Sequence, residues 1–120
     1  MAKLKGRGVS IDEAVRIALA LPEAASRPTH RHLGLIVRKK GFAYLYEDEA
    51  ILLVRATREE QAALAAEDPL AYKRSHTSGR FGWVAVRLAQ VRRDELAELI
   101  TEAWRLTAPK SLAAGYDGAG

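Results

Sequence analysis

Residues 32–55 decide the fold, and they read HLGLIVRKKGFAYLYEDEAILLVR. Three short runs of strand-forming residues are separated by a turn that contains glycine and by an acidic turn at residues 47–49. Side chains alternate in the first run, where Leu33, Leu35 and Val37 share one face. Strands joined by such short turns pair antiparallel, because a parallel crossover needs about a dozen residues or more. This stretch therefore predicts three antiparallel strands.

Helices are predicted on either side of these strands. Ser10 with Glu13, and Thr57 with Glu60, each form the Ser/Thr-x-x-Glu pattern that starts a helix, because the hydroxyl accepts from an unpaired N–H of the first turn. Apolar residues then recur at helical spacing, and Pro109 ends the last periodic segment. The predicted helices cover residues 10–20, 57–67 and 94–107.

Two further strands are predicted between the second and third helices, at residues 72–77 and 83–88. The order α-β3-α-β2-α predicts a two-layer α+β fold, with an antiparallel five-stranded sheet covered by helices on one face. Residues 10–110 are expected to form one domain. Residues 1–9 are expected to be a basic flexible tail, and residues 111–120 a flexible C-terminal tail.

The composition is that of one globular domain, with 120 residues of which 48% are apolar and 28% charged. The chain contains no cysteine, which excludes disulfides, thiolate metal sites and thiol nucleophiles. No run approaches the ~20 apolar residues of a membrane span, and the N-terminal residues lack the apolar stretch of a signal peptide. We therefore expect a cytoplasmic protein with no membrane partner.

Basic charge is segregated along the chain, which carries 19 Lys and Arg against 15 Asp and Glu. Residues 24–46 and 69–93 contain no acidic side chain, and both segments are predicted to hold strands. The acids are concentrated in segments predicted to be helical. The basic charge should therefore collect on the sheet side of the domain.

Four short segments follow one another as ALALPE (18–23), GFAYL (41–45), WVAVRL (83–88) and AWRLTAPK (103–110). In this order they resemble the MmcQ/YjbR-like proteins of bacteria, and the resemblance covers roughly residues 10–112. It implies a small α+β fold with the element order given above, grouped with secretion-chaperone-like folds. It also implies DNA binding through a double-wing arrangement, with no defined catalytic residues.

Two basic hairpins carry the main functional hypothesis. Hairpins that project from one sheet can straddle a phosphate backbone as paired wings, so DNA is the expected partner of a non-enzymatic binding protein. The alternative is a solvated basic surface that serves solubility. The candidate phosphate-binding cations are Arg38, Lys39, Lys40, Lys73, Arg74 and Arg80.

An aromatic stripe offers a second interpretation of the sheet. Phe42, Tyr44 and Tyr46 alternate on one strand and are expected to share a face, next to basic residues. Such a stripe can stack the bases of single-stranded nucleic acid, although a buried or half-buried sheet face is the commoner role and is favoured here. The competing function is a protein-interaction module that binds itself or a partner. A basic, polar open face favours nucleic acid, whereas a continuous apolar patch favours a protein.

Metal and catalytic sites are not expected. His30, His32 and His76 can in principle ligate zinc, but the acid-free segments around them offer no carboxylate as a further ligand. Ser75 and His76 are adjacent on a predicted strand and should point to opposite faces, which disfavours a nucleophile–base pair. No phosphate loop, nucleophile elbow or dinucleotide fingerprint occurs. We therefore expect no cofactor and no enzymatic activity.

Overall fold

A computed structural model describes residues 7–119, with side chains described to residue 116. The α-helices are α1 (Ile11–Leu19), α2 (Arg58–Glu67), α3 (Arg93–Thr107) and α4 (Lys110–Ala119). The strands are β1 (Ala24–Pro28), β2 (Leu33–Val37), β3 (Lys40–Tyr46), β4 (Ile51–Thr57), β5 (Tyr72–Ser78) and β6 (Phe81–Arg87). A short 3-10 turn, Glu47–Glu49, joins β3 to β4. Among the described helices, none is long and apolar enough to cross a membrane.

The strands form one sheet in the order β1-β2-β3-β4-β6-β5, and every described pair is antiparallel. This confirms the α+β class with an antiparallel sheet, but the expected strand count was wrong, because residues 7–119 form six strands and not five. The missed strand is β1, which pairs with β2 at the edge of the sheet. Four of its five residues are exposed, so it lacks the apolar alternation that marks a strand. Its Pro28 is tolerated because an edge strand need not donate on both sides.

The core lies between one face of the sheet and the helices. Side chains from the four central strands are buried there against α3, which crosses β3 and β4. α1 packs on α3 and β1, and α2 packs on β5, β6 and β4. The largest fully buried core side chains include Leu35, Leu45, Leu52, Val54, Val84, Leu96, Ile100 and Trp104.

Both predicted helix starts are present in the structure. The Ser10 hydroxyl accepts from the backbone N–H of Glu13 at 3.1 Å, and the Thr57 hydroxyl accepts from that of Glu60 at 3.1 Å. Each bond satisfies one of the N–H groups that a helix leaves unpaired in its first turn. The local pattern was sufficient here because the interacting residues are only three apart in the chain.

The ends of the chain differ from the sequence-based expectation. The segment expected to be a flexible C-terminal tail forms α4, because Pro109 ends α3 yet its fixed φ also suits the start of a helix. Tyr116 of α4 packs edge-on against Trp104, with ring centroids 5.3 Å apart. At the other end, the backbone N–H of Val9 donates to the Leu88 carbonyl at 2.8 Å, and Arg7 pairs with Asp68. The rest of the expected N-terminal tail, residues 1–6, lies outside the described residues.

Candidate nucleic-acid interface

The two basic hairpins have their tips at the same end of the sheet. Arg38 and Lys39 connect β2 to β3, and Gly79 and Arg80 connect β5 to β6. β4 alone separates β3 from β6. It ends at the same end of the sheet as the two tips, where Thr57 lies opposite Phe81. Two strand spacings place β3 and β6 roughly 10 Å apart. The strand order therefore sets the tips side by side.

The two turns differ in backbone strain. Arg38 and Lys39 have φ values of 51° and 72°, the left-handed region that a two-residue hairpin of this kind requires. Non-glycine residues occupy that region at a cost of about 1–2 kcal/mol each. Gly79, with φ 60°, takes the corresponding position in the other turn without that cost. The first hairpin thus keeps two cations at positions where asparagine and glycine would be more stable.

A groove of about 710 Å³ lies between the two hairpins and the segment that joins α3 to α4. Among the described residues that line it, five are Arg or Lys and none is Asp or Glu. We call it the basic groove. Its lining cations are Arg38, Lys40, Arg80, Arg105 and Lys110.

The cations of the basic groove differ in what they contact. Both carboxylate oxygens of Glu23 accept from the Arg38 guanidinium, one of them from Nη2 at 2.9 Å, and this pairing lowers the pKa of the Glu23 carboxyl. Arg105 donates to Glu102 at 3.2 Å. Within residues 7–119, the structure describes no carboxylate partner for Lys40, Arg80 or Lys110, and all three are exposed. These three ammonium and guanidinium groups are positioned to bind an external anion.

The structure brings together only part of the predicted set of cations. Arg38, Lys40 and Arg80 line the basic groove, and Lys39 is exposed at the tip beside it. Lys73 and Arg74 lie on the edge strand β5, opposite Ala85 and Val84, and therefore on opposite faces of the sheet. Neither lines the groove.

Sequence analysis did not identify Lys110 as a site residue. Lys110 follows Pro109 and was placed next to an expected tail, whereas it starts α4 beside the two hairpins. The cations that line the groove with it, Lys40 and Arg80, are distant in sequence. No local pattern connects the three residues.

The open face of the sheet carries a row of rings. His32 stacks on Tyr44 with centroids 5.0 Å apart, Tyr44 contacts Trp83 at 5.6 Å, and Trp83 stacks on His76 at 5.9 Å. Tyr46 meets His32 edge-on at 5.3 Å. The four rings of the row come from different strands or strand ends, so the row crosses the sheet.

The expected stripe of Phe42, Tyr44 and Tyr46 on one face was wrong. Phe42 is fully buried in the core, whereas Tyr44 and Tyr46 are half-buried on the open face. The register between β2 and β3 shifts at this point, since Leu35 pairs with Ala43 and Ile36 pairs with Gly41. An extra residue in one strand breaks the strict alternation of faces, and here it turns Phe42 inward.

Arg55 lies within this ring cluster. Its guanidinium carbon is 4.8 Å from the centroid of the Phe81 ring and 5.2 Å from that of the Trp83 ring. Its Nε is buried, and among the described residues it has no hydrogen-bond partner. A buried donor without a partner costs about 1–3 kcal/mol, so this group is unusual.

The histidines do not converge. His32 and His76 occupy opposite ends of the ring row, and His30 is exposed in the loop before β2. Within residues 7–119 no group of three His, Asp or Glu side chains could hold a metal ion. Ser75 and His76 do not separate as predicted, because the strand is irregular between Arg74 and Thr77, and the Ser75 hydroxyl lies 3.0 Å from His76 Nδ1. Both are exposed.

Acidic charge collects in the helical layer, in a cleft that shares Arg105 with the basic groove. A cleft of about 830 Å³ between α2 and α3 is lined by six acids, Glu60, Glu67, Asp68, Glu95, Glu98 and Glu102. Burial, with repulsion from Glu102, raises the pKa of the Glu60 carboxyl. In contrast, none of the six described strands contains Asp or Glu. The domain is therefore polarised, with a basic sheet and an acidic helical layer.

Comparisons with known proteins support the fold. The family model described as YjbR matches residues 19–106. A crystal structure of the Deinococcus radiodurans protein DR2400, with domain DUF419, is similar at a TM-score of 0.71 and 20% identity. The similarity covers 81% of this chain and 77% of that one, and at this identity it shows the fold alone. No curated protein matches the sequence.

Proposed function

The chain belongs to the YjbR family, and we propose that it is a non-enzymatic DNA-binding protein that holds the duplex phosphate backbone in the basic groove. The observation that carries the proposal is the meeting of both hairpins and the start of α4 around one groove whose described lining has cations and no acids. A basic groove between two hairpins fits the phosphate backbone of a duplex better than a small neutral ligand, because the backbone is a polyanion.

The polarity of the domain supports the same orientation. The six acids of the cleft between α2 and α3 do not line the groove, and one of them, Glu102, is paired with Arg105, which lines both. The field of such a molecule favours approach of a polyanion with the sheet side leading. A chain without cysteine also fits a reducing cytoplasm, where the protein would meet DNA.

Backbone strain at the first hairpin is a further support. Arg38 and Lys39 adopt left-handed conformations that their side chains disfavour, and strained backbone is found more often at functional sites than elsewhere. The Glu23 carboxylate holds Arg38 in a bidentate pair. We infer that Arg38 orients the hairpin, while Lys40, Arg80 and Lys110 contact phosphates.

The test removes these three contacting cations together. Lys40→Ala, Arg80→Ala and Lys110→Ala in one variant should weaken binding to all duplex sequences alike. If each cation neutralises one phosphate, the slope of log affinity against log salt should flatten by about 2.7.

A matched control removes equal charge elsewhere. Arg16→Ala, Arg31→Ala and Arg92→Ala remove three exposed cations that do not line the groove. Fluorescence anisotropy with a labelled duplex at several salt concentrations should show the wild-type slope for this control, apart from a small general loss. Equal slopes for both triple variants, or no duplex binding by the wild type at low salt, would refute the proposal.

The protein-interaction alternative rests on a different observation. The open face contains half-buried Ile36, Ile51 and Leu53 between its rings, so it is partly apolar. Sedimentation of the protein alone tests self-association through this face. A concentration-dependent dimer that excludes duplex would favour the alternative.

A further inference from the structure

The open face combines flat rings with cations and no acid from its strands. Its register aligns one residue from every strand in a row that runs across the whole sheet. From β1 to β5 this row consists of Arg27, Gly34, Tyr44, Leu53, Ala85 and Lys73. Five strand spacings make the row about 24 Å long, with a cation at each end and an aromatic ring between.

Tyr44 is held flat against the sheet. A Cβ added at Gly41 would collide with the Tyr44 hydroxyl, and one added at Gly34 would lie 3.6 Å from its ring edge. The ring therefore lies over Gly41, which leaves it room that any other residue would fill, and passes Gly34 at ordinary van der Waals distance. His32 is stacked near it at one end, and the ring is half-buried rather than enclosed. Flat, half-exposed rings of this kind suit stacking with other planar groups.

Arg55 is a cation on this face without a described ion-pair partner. Its side chain is half-buried and lies over Phe81 and Trp83, and no salt bridge described within residues 7–119 includes it. No described strand contributes a carboxylate to this face. An external phosphate would supply the missing counter-ion, because its oxygens match the planar donors of a guanidinium.

We propose that the open face binds single-stranded nucleic acid, with bases stacked on Tyr44 and on the half-buried rings of His32 and Tyr46, and a backbone phosphate at Arg55. This goes beyond duplex binding in the basic groove, because it concerns a different surface and a different form of nucleic acid. An aromatic side chain can stack on a base only when the flat face of the base is accessible. The bases of a duplex are paired and stacked, so their faces are not accessible. Alternating planar and anionic groups distinguish this ligand from an acidic peptide, which offers carboxylates without a regular series of bases.

The first test changes the ring and keeps its bulk. Tyr44→Leu removes the aromatic face, whereas Tyr44→Phe retains it and loses only the hydroxyl. Binding of a labelled oligothymidine should weaken about tenfold in the leucine variant and stay within about twofold of wild type in the phenylalanine variant. Duplex affinity should be the same in all three proteins. Thermal unfolding of each variant confirms that the compared proteins are folded.

The second test removes the charge of Arg55 and keeps its apolar contacts. Arg55→Met preserves packing on Phe81 and Trp83 and eliminates the unpartnered buried donor, so it should fold at least as well as wild type. It should nevertheless bind oligothymidine about tenfold more weakly. Lys73→Met provides a matched control at the end of the row, away from the ring cluster, and should have a smaller effect.

Several outcomes separate this inference from the groove proposal. Oligothymidine binding that survives both Tyr44→Leu and Arg55→Met, or a wild type that does not bind oligothymidine, overturns the open-face inference and leaves the groove untouched. Loss of duplex binding alone in the triple variant at Lys40, Arg80 and Lys110 supports two separate surfaces. A dimer that Tyr44→Leu dissociates, or binding of a poly-glutamate peptide as tight as that of oligothymidine, also overturns the inference.

Discussion

The sheet and the helical layer of this domain differ in charge, and their carboxylates respond in opposite ways. Glu23 lies beside Arg38 at the sheet edge, and the pairing lowers the pKa of its carboxyl. Glu60 lies in the acidic cleft between α2 and α3, where burial and Glu102 raise the pKa of its carboxyl. The pKa of a glutamate carboxyl is therefore lowered by the basic surroundings of Glu23 and raised by the buried, acidic surroundings of Glu60.

The helical layer and the sheet therefore differ in their physical roles. The helices supply most of the acids and bury the core. The strands carry cations and rings on the open face of the sheet. Ion pairs such as Arg38–Glu23 and Arg105–Glu102 join the two sets of charges where they meet, whereas the described strands carry cations and no acid of their own. An anionic ligand is therefore attracted to the strand side.

The largest expected effect comes from removing the hydrogen bonds by which Gln61 joins the helical layer to the sheet. This side chain of α2 is buried, and its amide donates to the carbonyls of His76 at 3.1 Å and Trp83 at 3.0 Å. Gln61→Leu leaves both carbonyls without that donor, so the free energy of unfolding should fall by about 2–3 kcal/mol.

Chemical denaturation measures the effect of this change. The control is Gln90→Leu, since within residues 7–119 the Gln90 side chain has no described hydrogen bond. It should change stability by less than about 0.5 kcal/mol. Equal losses in the two variants would show that Gln61 is not a special connection between the layers.

The next prediction sharpens the contrast between the two hairpins. Replacing Arg38 and Lys39 together by Asn and Gly relieves two left-handed residues but removes the ion pair with Glu23. The free energy of unfolding should rise by about 1–2 kcal/mol, because an exposed ion pair contributes less than the strain it accompanies. Duplex affinity should fall at the same time, since two cations are lost.

Gly79→Ala makes the converse change in the second hairpin. The left-handed φ of Gly79 is disfavoured for alanine, so stability should fall by about 1 kcal/mol while no charge changes. Duplex affinity should stay close to wild type when measured well below the unfolding temperature. A stability loss in the Asn-Gly variant would contradict the strain assigned to the first turn.

The smallest expected effects concern the two carboxylates. The raised pKa of Glu60 means that the folded state holds its proton more tightly than the unfolded state. That stabilising contribution is complete below the unfolded pKa and is lost as pH rises through the folded one. Glu60→Gln should therefore stabilise the protein slightly at about pH 7 and have little effect at about pH 3.

Glu23 should show the opposite sign. Its lowered pKa gives a contribution that is present above the unfolded pKa and is lost as pH falls through the folded one. Glu23→Gln should therefore destabilise the protein slightly near neutral pH and have little effect in acid. Thermal unfolding of both variants across pH measures the two signs, and like signs would contradict the polarisation of the domain.

Several features followed from the sequence because they depend on near neighbours. The capping pairs at Ser10 and Thr57 join residues three apart, and short turns left only antiparallel pairing for the strands beside them. The family resemblance was confirmed, as was the fold class. β1 was missed because an exposed edge strand has no apolar alternation to mark it.

The sequence by itself determined the order of α1, α2, α3 and the five strands β2 to β6, their pairing sense, and the segregation of acids from cations. Each of these depends on residues that are adjacent or a few positions apart. Only the tertiary structure decided which cations meet, because placing β4 between β3 and β6 depends on packing across the whole core. It also decided that Tyr44 faces outward and Phe42 inward, because a register shift reverses a face that alternation alone assigns. Long-range packing selects among arrangements that local patterns leave equal, and both candidate surfaces of this protein arise from that selection.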